Sequence, residues 1–491
     1  MASYGSGEQG ENAEPHGSHC VFDDNLATAA ESGQACSDDV SGKVDMVPTR
    51  LYRRRWFILA LFCFYSMTNA IQWIQYSVIS NVIVDFYGTR TTAVDWLSMI
   101  YMLAYIPLII PATWLLDKKG LRFAVTLGAL GNATGAWLKC ASVAPDRFWV
   151  TMLGQTICAI SQLFVLGIPA NLAAVWFGPN EVSTACSIGV FGNQVGIALG
   201  FALPPIIVPN NKETIATNLS YMFYGMAAIT TVIFFAILLV FKAAPPVPPS
   251  HAQLNLEGAR TWNYFESLKN LFSHIGFILL VIAYGINAGS FYAISTLLNQ
   301  IVLTWFPDAE RSVGMIGLTI VLAGLLGSVI SGIILDRTRK FRLTTLVIYI
   351  CSFCGMIAFT FVLNLGNISI VYLCAGSLGF FMTGFLPVGF EFAAEITYPE
   401  SEATSSGVVN ASAQVFGIIF TTCIGKLITD VSVLSGNLFL CIALLGGVFV
   451  TWFIKEDLKR QKAGKMNAEQ MQEIEKEPLD QNNASYDVMF T

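Results

Sequence analysis

The amino-acid sequence predicts an all-α membrane protein with twelve transmembrane helices in two pseudo-symmetric six-helix bundles. Three observations carry this. Of 491 residues, 54% are hydrophobic and only 12% charged, about half the charged fraction of a soluble globular chain. Apolar runs recur from Trp56 to Lys455, each roughly 20 residues long, the length that crosses a hydrocarbon core about 30 Å thick. Landmarks in the first half return in the second at a nearly constant offset.

Hydropathy, with Gly, Pro and charge as punctuation, predicts spans at 56–82, 94–116, 122–143, 148–170, 185–208, 220–242, 274–303, 313–335, 343–363, 368–390, 406–427 and 435–454. They divide the chain into a polar tail (1–50), a first bundle (51–242), a linker loop (243–273), a second bundle (274–454) and a second polar tail (455–491). The first tail is rich in Gly, Ser, Glu, Asp and Asn and lacks the apolar surface to fold. No apolar stretch precedes a small-residue cleavage site there, so the first span is expected to target the chain. The linker opens with Ala243-Ala-Pro-Pro-Val-Pro-Pro-Ser-His251, an extended spacer between the bundles.

Lys and Arg set the orientation. An even number of spans puts both termini on one side, and 21 of the 27 Lys and Arg fall there. The other six are Arg90, Lys139, Arg147, Lys212, Arg311 and Lys426. Both termini are therefore expected in the cytoplasm. Nine of the eleven Cys lie in apolar spans, where reduced cysteine packs as a small hydrophobe. Of the sequons, Asn218-Leu-Ser220 is placed in the outer loop between spans five and six and is the expected glycosylation site.

The repeat is visible at three places. After span two comes Trp114-Leu-Leu-Asp117-Lys118-Lys119-Gly120-Leu-Arg122, and after span eight Ile333-Ile-Leu-Asp336-Arg337-Thr-Arg339-Lys340. Pro179 precedes Gln194 by fifteen residues, as Pro399 precedes Gln414. Asn69 and Asn81 in span one match Asn287 and Asn299 in span seven, and the offsets run from 218 to 220. The Asp-plus-basic loop resembles the signature loop of the major facilitator superfamily, although the second copy lacks the Gly after its basic pair. The resemblance implies two bundles that rock about a central site. Positive-inside topology accounts for Lys118 and Arg337, but not for the acids Asp117 and Asp336.

Ionisable groups deep in a membrane usually mark function. Lys139, His274, Glu391 and Glu395 are placed near span ends, leaving neutral polar groups inside. A proton-coupled carrier needs an acidic or His relay, and a carboxylate carrier needs a buried Arg; the pattern offers neither. No paired carboxylates, metal cluster or nucleophile–base arrangement suggests an enzyme. Asn69, Gln72, Trp73 and Tyr76 are spaced 0, 3, 4 and 7, as are Tyr292, Ser295, Thr296 and Asn299, so each set is expected on one helix face. Gly285 and Gly289 are expected to loosen span seven. Gln155 and Gln162 in span four, Asn193 and Gln194 in span five, and Gln414 in span eleven complete the set. Aromatic faces with neutral amides suit a quaternary ammonium such as choline, through cation–π contact.

These stretches carry a second resemblance. Asn69-Ala-Ile-Gln-Trp-Ile-Gln-Tyr76, Asp95-Trp-Leu-Ser98, Trp176-Phe-Gly-Pro-Asn-Glu-Val-Ser-Thr-Ala-Cys186 and Thr397-Tyr-Pro-Glu-Ser-Glu402 resemble the feline leukaemia virus subgroup C receptor family, over roughly residues 52–462. The resemblance implies plasma-membrane uniport of choline and ethanolamine, without a cofactor, by a carrier that meets lipid and small molecules, binds no nucleic acid and acts as a monomer. It assigns the substrate cage to Trp73 and Tyr292, with Gln162, Gln414 and nearby Asn193 as polar contacts. Haem transport is the alternative it raises, and a non-transporting receptor the other. His16, His19 and His251 lie in the tail or linker and His274 at a span edge, so no histidine is placed along the path to ligate iron.

Overall fold

The computed structural model describes residues 51–178, 181–247, 264–400 and 402–455, with single positions 249, 458, 459 and 461. Readings that concern the first tail, Pro179, His251, the middle of the linker or most of the second tail lie outside the described residues. Span one is a helix from Arg54 to Ile74, a 3-10 turn at Ser77–Ile79, and a second helix Ser80–Tyr87. Spans two and three are Thr91–Lys119 and Leu121–Cys140. Span four is broken into Phe148–Leu166 and Ile168–Trp176, and span five into Val182–Ala202 and Pro204–Ile207. Span six is Ile215–Val240. A short helix, Tyr264–Ser273, precedes span seven at Ile275–Leu303. Spans eight to twelve are Glu310–Thr338, Phe341–Val362, Ile368–Thr397, Glu402–Asp430 and Val433–Trp452.

Among the described residues, eleven helical stretches are long and apolar enough to cross a membrane. Span three falls short by composition, since its 20 residues include Arg122, Asn132, Thr134 and Lys139. Its length still matches a hydrocarbon core, about 30 Å at helical rise. Asn132 and Lys139 are each 1% exposed, so these two face the protein rather than lipid, whereas Arg122 and Thr134 are exposed.

Glycines bring span one against span five and span seven against span eleven. A Cβ at Gly196 would lie 2.3 Å from the Met67 carbonyl, and one at Gly200 2.2 Å from Ile74, so span five presses directly on span one. In the second half span seven meets span eleven through glycines of its own: a Cβ at Gly285 would meet Ser412, and one at Gly289 would lie 2.8 Å from the Gly417 nitrogen. Gly285 and Gly289 therefore do not loosen span seven, which is an unbroken 29-residue helix. Their missing side chains let span eleven approach.

The two signature loops turn differently. Gly120, at φ +81°, separates spans two and three. In the second copy Arg339 takes the left-handed position, at φ +52°, so the turn survives without glycine at a cost of about 1–2 kcal/mol.

Candidate functional site

Span one stops being an α-helix one residue after Trp73. The last carbonyls of a helix lack intrahelical partners and carry its negative end. Gln155 of span four answers one of them, its Nε2 donating to the Gln72 carbonyl at 2.8 Å and to the Leu97 carbonyl at 3.1 Å. Beside this break the Trp73 ring meets Tyr292 of span seven edge to face, with centroids 5.7 Å apart and planes at 82°. Such aromatic pairs are attractive over about 4.5–7 Å, so the two halves touch through the two expected cage residues. Trp73 is 5% exposed, and its Nε1–H has no hydrogen-bond partner. Tyr292 is half-buried and pairs with the Gln414 side chain of span eleven. A Cβ at Gly417 would lie 3.2 Å from the Tyr292 ring and 2.8 Å from Met102 Sδ, so this glycine makes room for both.

The expected single face of span one is divided. Trp73 crosses to span seven, whereas Gln72 and Tyr76 turn into the first half. Gln72 Nε2 donates to Asn132 Oδ1 at 2.9 Å, and Gln72 Oε1 accepts from Lys139 Nζ at 2.9 Å. Asn69 Nδ2 donates to Asn132 Oδ1 at 3.1 Å and to the Cys158 carbonyl at 3.0 Å. The Tyr76 ring packs on Phe223 of span six, with centroids 5.9 Å apart. Trp73, about 100° round the helix from Gln72, faces span seven instead, and Tyr76 stands past the helix end at Ile74. Of the remaining candidates, Gln162, Asn193 and Gln194 are half-buried on spans four and five, both packed on span one. Gln194 Oε1 has no partner.

Beyond the ring pair, at the end of the bundle away from the chain termini, polar side chains join the halves. Asn299 Nδ2 donates to the Val78 carbonyl at 2.8 Å and to Asn81 Oδ1 at 3.0 Å, while its Oδ1 accepts from Ser80 Oγ at 2.9 Å. Glu310 accepts from Asn81 at 3.1 Å and from Asn210 at 3.2 Å. Gln300 donates to Asp95 at 2.7 Å, and Ser98 and Thr296 share a hydrogen bond at 3.0 Å. Phe201 packs beneath Gly314 and Gly317. This row ties the two halves together at that end. Asn81 and Asn299, found as a repeat pair in the sequence, are bonded to each other.

Residues 56–422 match the family model for the Major Facilitator Superfamily. The chain is 55% identical to the choline/ethanolamine transporter flvcr2a of Danio rerio over 419 residues, 84% of this chain and 89% of that protein. It is 52% identical to the choline/ethanolamine transporter FLVCR2 of Homo sapiens over 443 residues, 89% and 84% of the two chains. The chain belongs to the feline leukaemia virus subgroup C receptor family. It is a multi-pass membrane transporter of the major facilitator superfamily and not an enzyme. The fold also resembles that of a bacterial homologue of the human lysosomal transporter Spinster, with TM-score 0.59 and 14% identity over 82% of this chain and 95% of that one. The E. coli fucose:proton symporter gives TM-score 0.57 and 14% identity, covering 82% and 100%.

The remaining expected sites, read from the repeated loop and the sequon, lie elsewhere in the structure. Lys118 is exposed and its ammonium lies 4.8 Å from the Trp114 ring centroid; Asp336 and Arg337 are exposed at the matching loop. Asp117 has no described side chain. Asn218 lies in the first turn of span six rather than in a loop, half-buried, and donates to Thr214 Oγ1 at 3.2 Å. Lys139 and Glu395 lie in the last turns of spans three and ten, at span ends as expected, and Asp95 lies near the start of span two, but all three side chains are buried in the protein. Lys139 is 1% exposed, and Asp95 and Glu395 are 5% exposed. Each is held by neutral partners: Lys139 by Gln72, Asp95 by Gln300, and Glu395 by the Gln461 backbone N–H at 2.7 Å. Met102 and Asn132 escaped the sequence reading, since one methionine or asparagine in a span does not reveal which face it takes.

Proposed function

We propose that this chain is a plasma-membrane uniporter of choline and related small amines such as ethanolamine, with both termini cytoplasmic. The observation that carries the reading is the Trp73–Tyr292 contact at the carbonyl end of a broken helix. A quaternary ammonium finds there two aromatic faces and the negative end of a helix dipole, and needs no carboxylate. In the edge-to-face arrangement the rings leave no gap for a trimethylammonium group between them, so binding parts them or uses their outer faces. The unpartnered Trp73 N–H suits the hydroxyl that choline and ethanolamine share. Gln414 orients Tyr292, while Gln162, Asn193 and Gln194 supply neutral polar contacts. Gln72 and Tyr76 support the site from behind.

Alternating access then requires the bundles 51–242 and 274–454 to rock, with the Asn81–Asn299–Glu310 row breaking as the outer end opens. Two relatives named as choline/ethanolamine transporters, each more than half identical, support the substrate class. Labelled choline and haemin, offered in turn to the same proteoliposomes, test the reading. Saturable choline entry that ethanolamine inhibits is expected. Haemin entry without choline entry would overturn it.

A further inference from the structure

Lys139 is the buried cation that this transport scheme leaves unused. It sits in the last turn of span three, 1% exposed. The ion pair found among the described residues is Arg55–Glu181, at the other end of span one; Lys139 has only neutral partners. A lone ammonium in a membrane protein is expensive to bury and usually serves function. Its surroundings show what it holds. Nζ donates to Gln72 Oε1 at 2.9 Å and lies 5.7 Å from the centroid of the Tyr76 ring. Gln72 and Tyr76 stand on either side of the point, at Ile74, where the first helix of span one ends. Gln72 is gripped further through Asn132, and its carbonyl through Gln155. Trp73 is the residue between these anchors.

The second half shows that the fold does not require this lysine. At the repeat offset, position 139 corresponds to Ile357, Ala358 or Phe359, all apolar. Asn287, the counterpart of Asn69, is fully buried with both its side-chain polar atoms unpartnered. The polar cluster is therefore built behind Trp73 and not behind Tyr292.

We propose that Lys139 is a positioning residue for substrate binding, clamping Gln72 and Tyr76 across the helix break so that the Trp73 ring is held toward span seven. The proposal rests on the reading that Trp73 meets the substrate, and a double-mutant cycle separates the two. Choline affinity is measured on purified full-length protein for Lys139→Met, Trp73→Ala and the double variant, with folded yield and thermal midpoint alongside. Lys139→Met is expected to weaken choline binding about 5- to 10-fold, the value of one well-placed buried hydrogen bond. In the Trp73→Ala background the same change is expected to have less than a 2-fold effect, because the ring it aims is gone. If the two losses multiply, or Lys139→Met leaves affinity unchanged while Trp73→Ala reduces it, the positioning role is overturned. If Trp73→Ala itself changes nothing, the cage reading fails first, and the clamp with it. Lys139→Gln keeps a hydrogen-bond donor and repeats the cycle if the Met variant does not fold. Failure of both variants to fold would make the lysine purely structural and overturn the proposal.

Discussion

Asn299 is the centre of the polar row that joins the two halves, and under the proposed alternating access its removal should open that end. Three of its hydrogen bonds, at 2.8, 3.0 and 2.9 Å, reach the Val78 carbonyl, Asn81 and Ser80 in the other half. Asn299→Ala deletes all three. A buried hydrogen bond contributes about 0.5–1.5 kcal/mol net, so the closed arrangement loses about 1.5–4 kcal/mol. The arrangement open at that end loses little, because the same groups are then met by water. The equilibrium should therefore move by roughly ten- to several hundred-fold toward opening. Hydrogen–deuterium exchange in nanodiscs reads this directly: the stretches 77–98 and 296–312 should exchange faster, while spans three and nine should not change. Ser80→Ala removes one of the three bonds and should give a smaller shift in the same peptides. Unchanged exchange in Asn299→Ala, with the protein folded, would refute the assignment of this row as a gate.

Trp73→Ala should reach the surface and lose about 1–2 kcal/mol of choline binding, some 5- to 30-fold, with Phe or Tyr at position 73 retaining part; normal affinity in surface-delivered protein would contradict the cage. Gly289→Ala should force spans seven and eleven apart, since its Cβ would lie 2.7 Å from Phe416 and 2.8 Å from the Gly417 backbone. Overpacking of this kind costs about 1–3 kcal/mol, so the thermal midpoint should fall and choline affinity with it; an unchanged midpoint would count against this packing. Because Lys139, Asp95 and Glu395 each meet neutral partners rather than one another, a pH or sodium gradient imposed at clamped potential should not concentrate choline in proteoliposomes. Accumulation above the potential-set limit would contradict uniport. Glycosidase treatment should shift the gel mobility of the wild type but not of Asn218→Gln; identical behaviour would remove Asn218 as the modified site.

Much of this protein is set by one-dimensional properties. Apolar length, the placement of Lys and Arg and the 218–220 offset determined the helices, their order and their duplication. Each depends on local composition meeting a bilayer of given thickness. The duplicated Asn81 and Asn299 even marked residues that bond to each other. Tertiary structure decided which face each polar residue shows. An amide in hydrocarbon is satisfied equally well by a neighbouring helix or by a substrate path, and spacing along the chain does not distinguish them. Gln72 and Tyr76 were therefore grouped with Trp73, although the turn of about 100° between adjacent residues sends Gln72 to Lys139 and Asn132, and the helix break at Ile74 leaves Tyr76 on Phe223. Lys139 read as a residue of the outer edge because it is near the end of its span. Only the packing of spans one, three and four takes its side chain inward, where hydrogen bonds replace water around a charge that lipid would not accept.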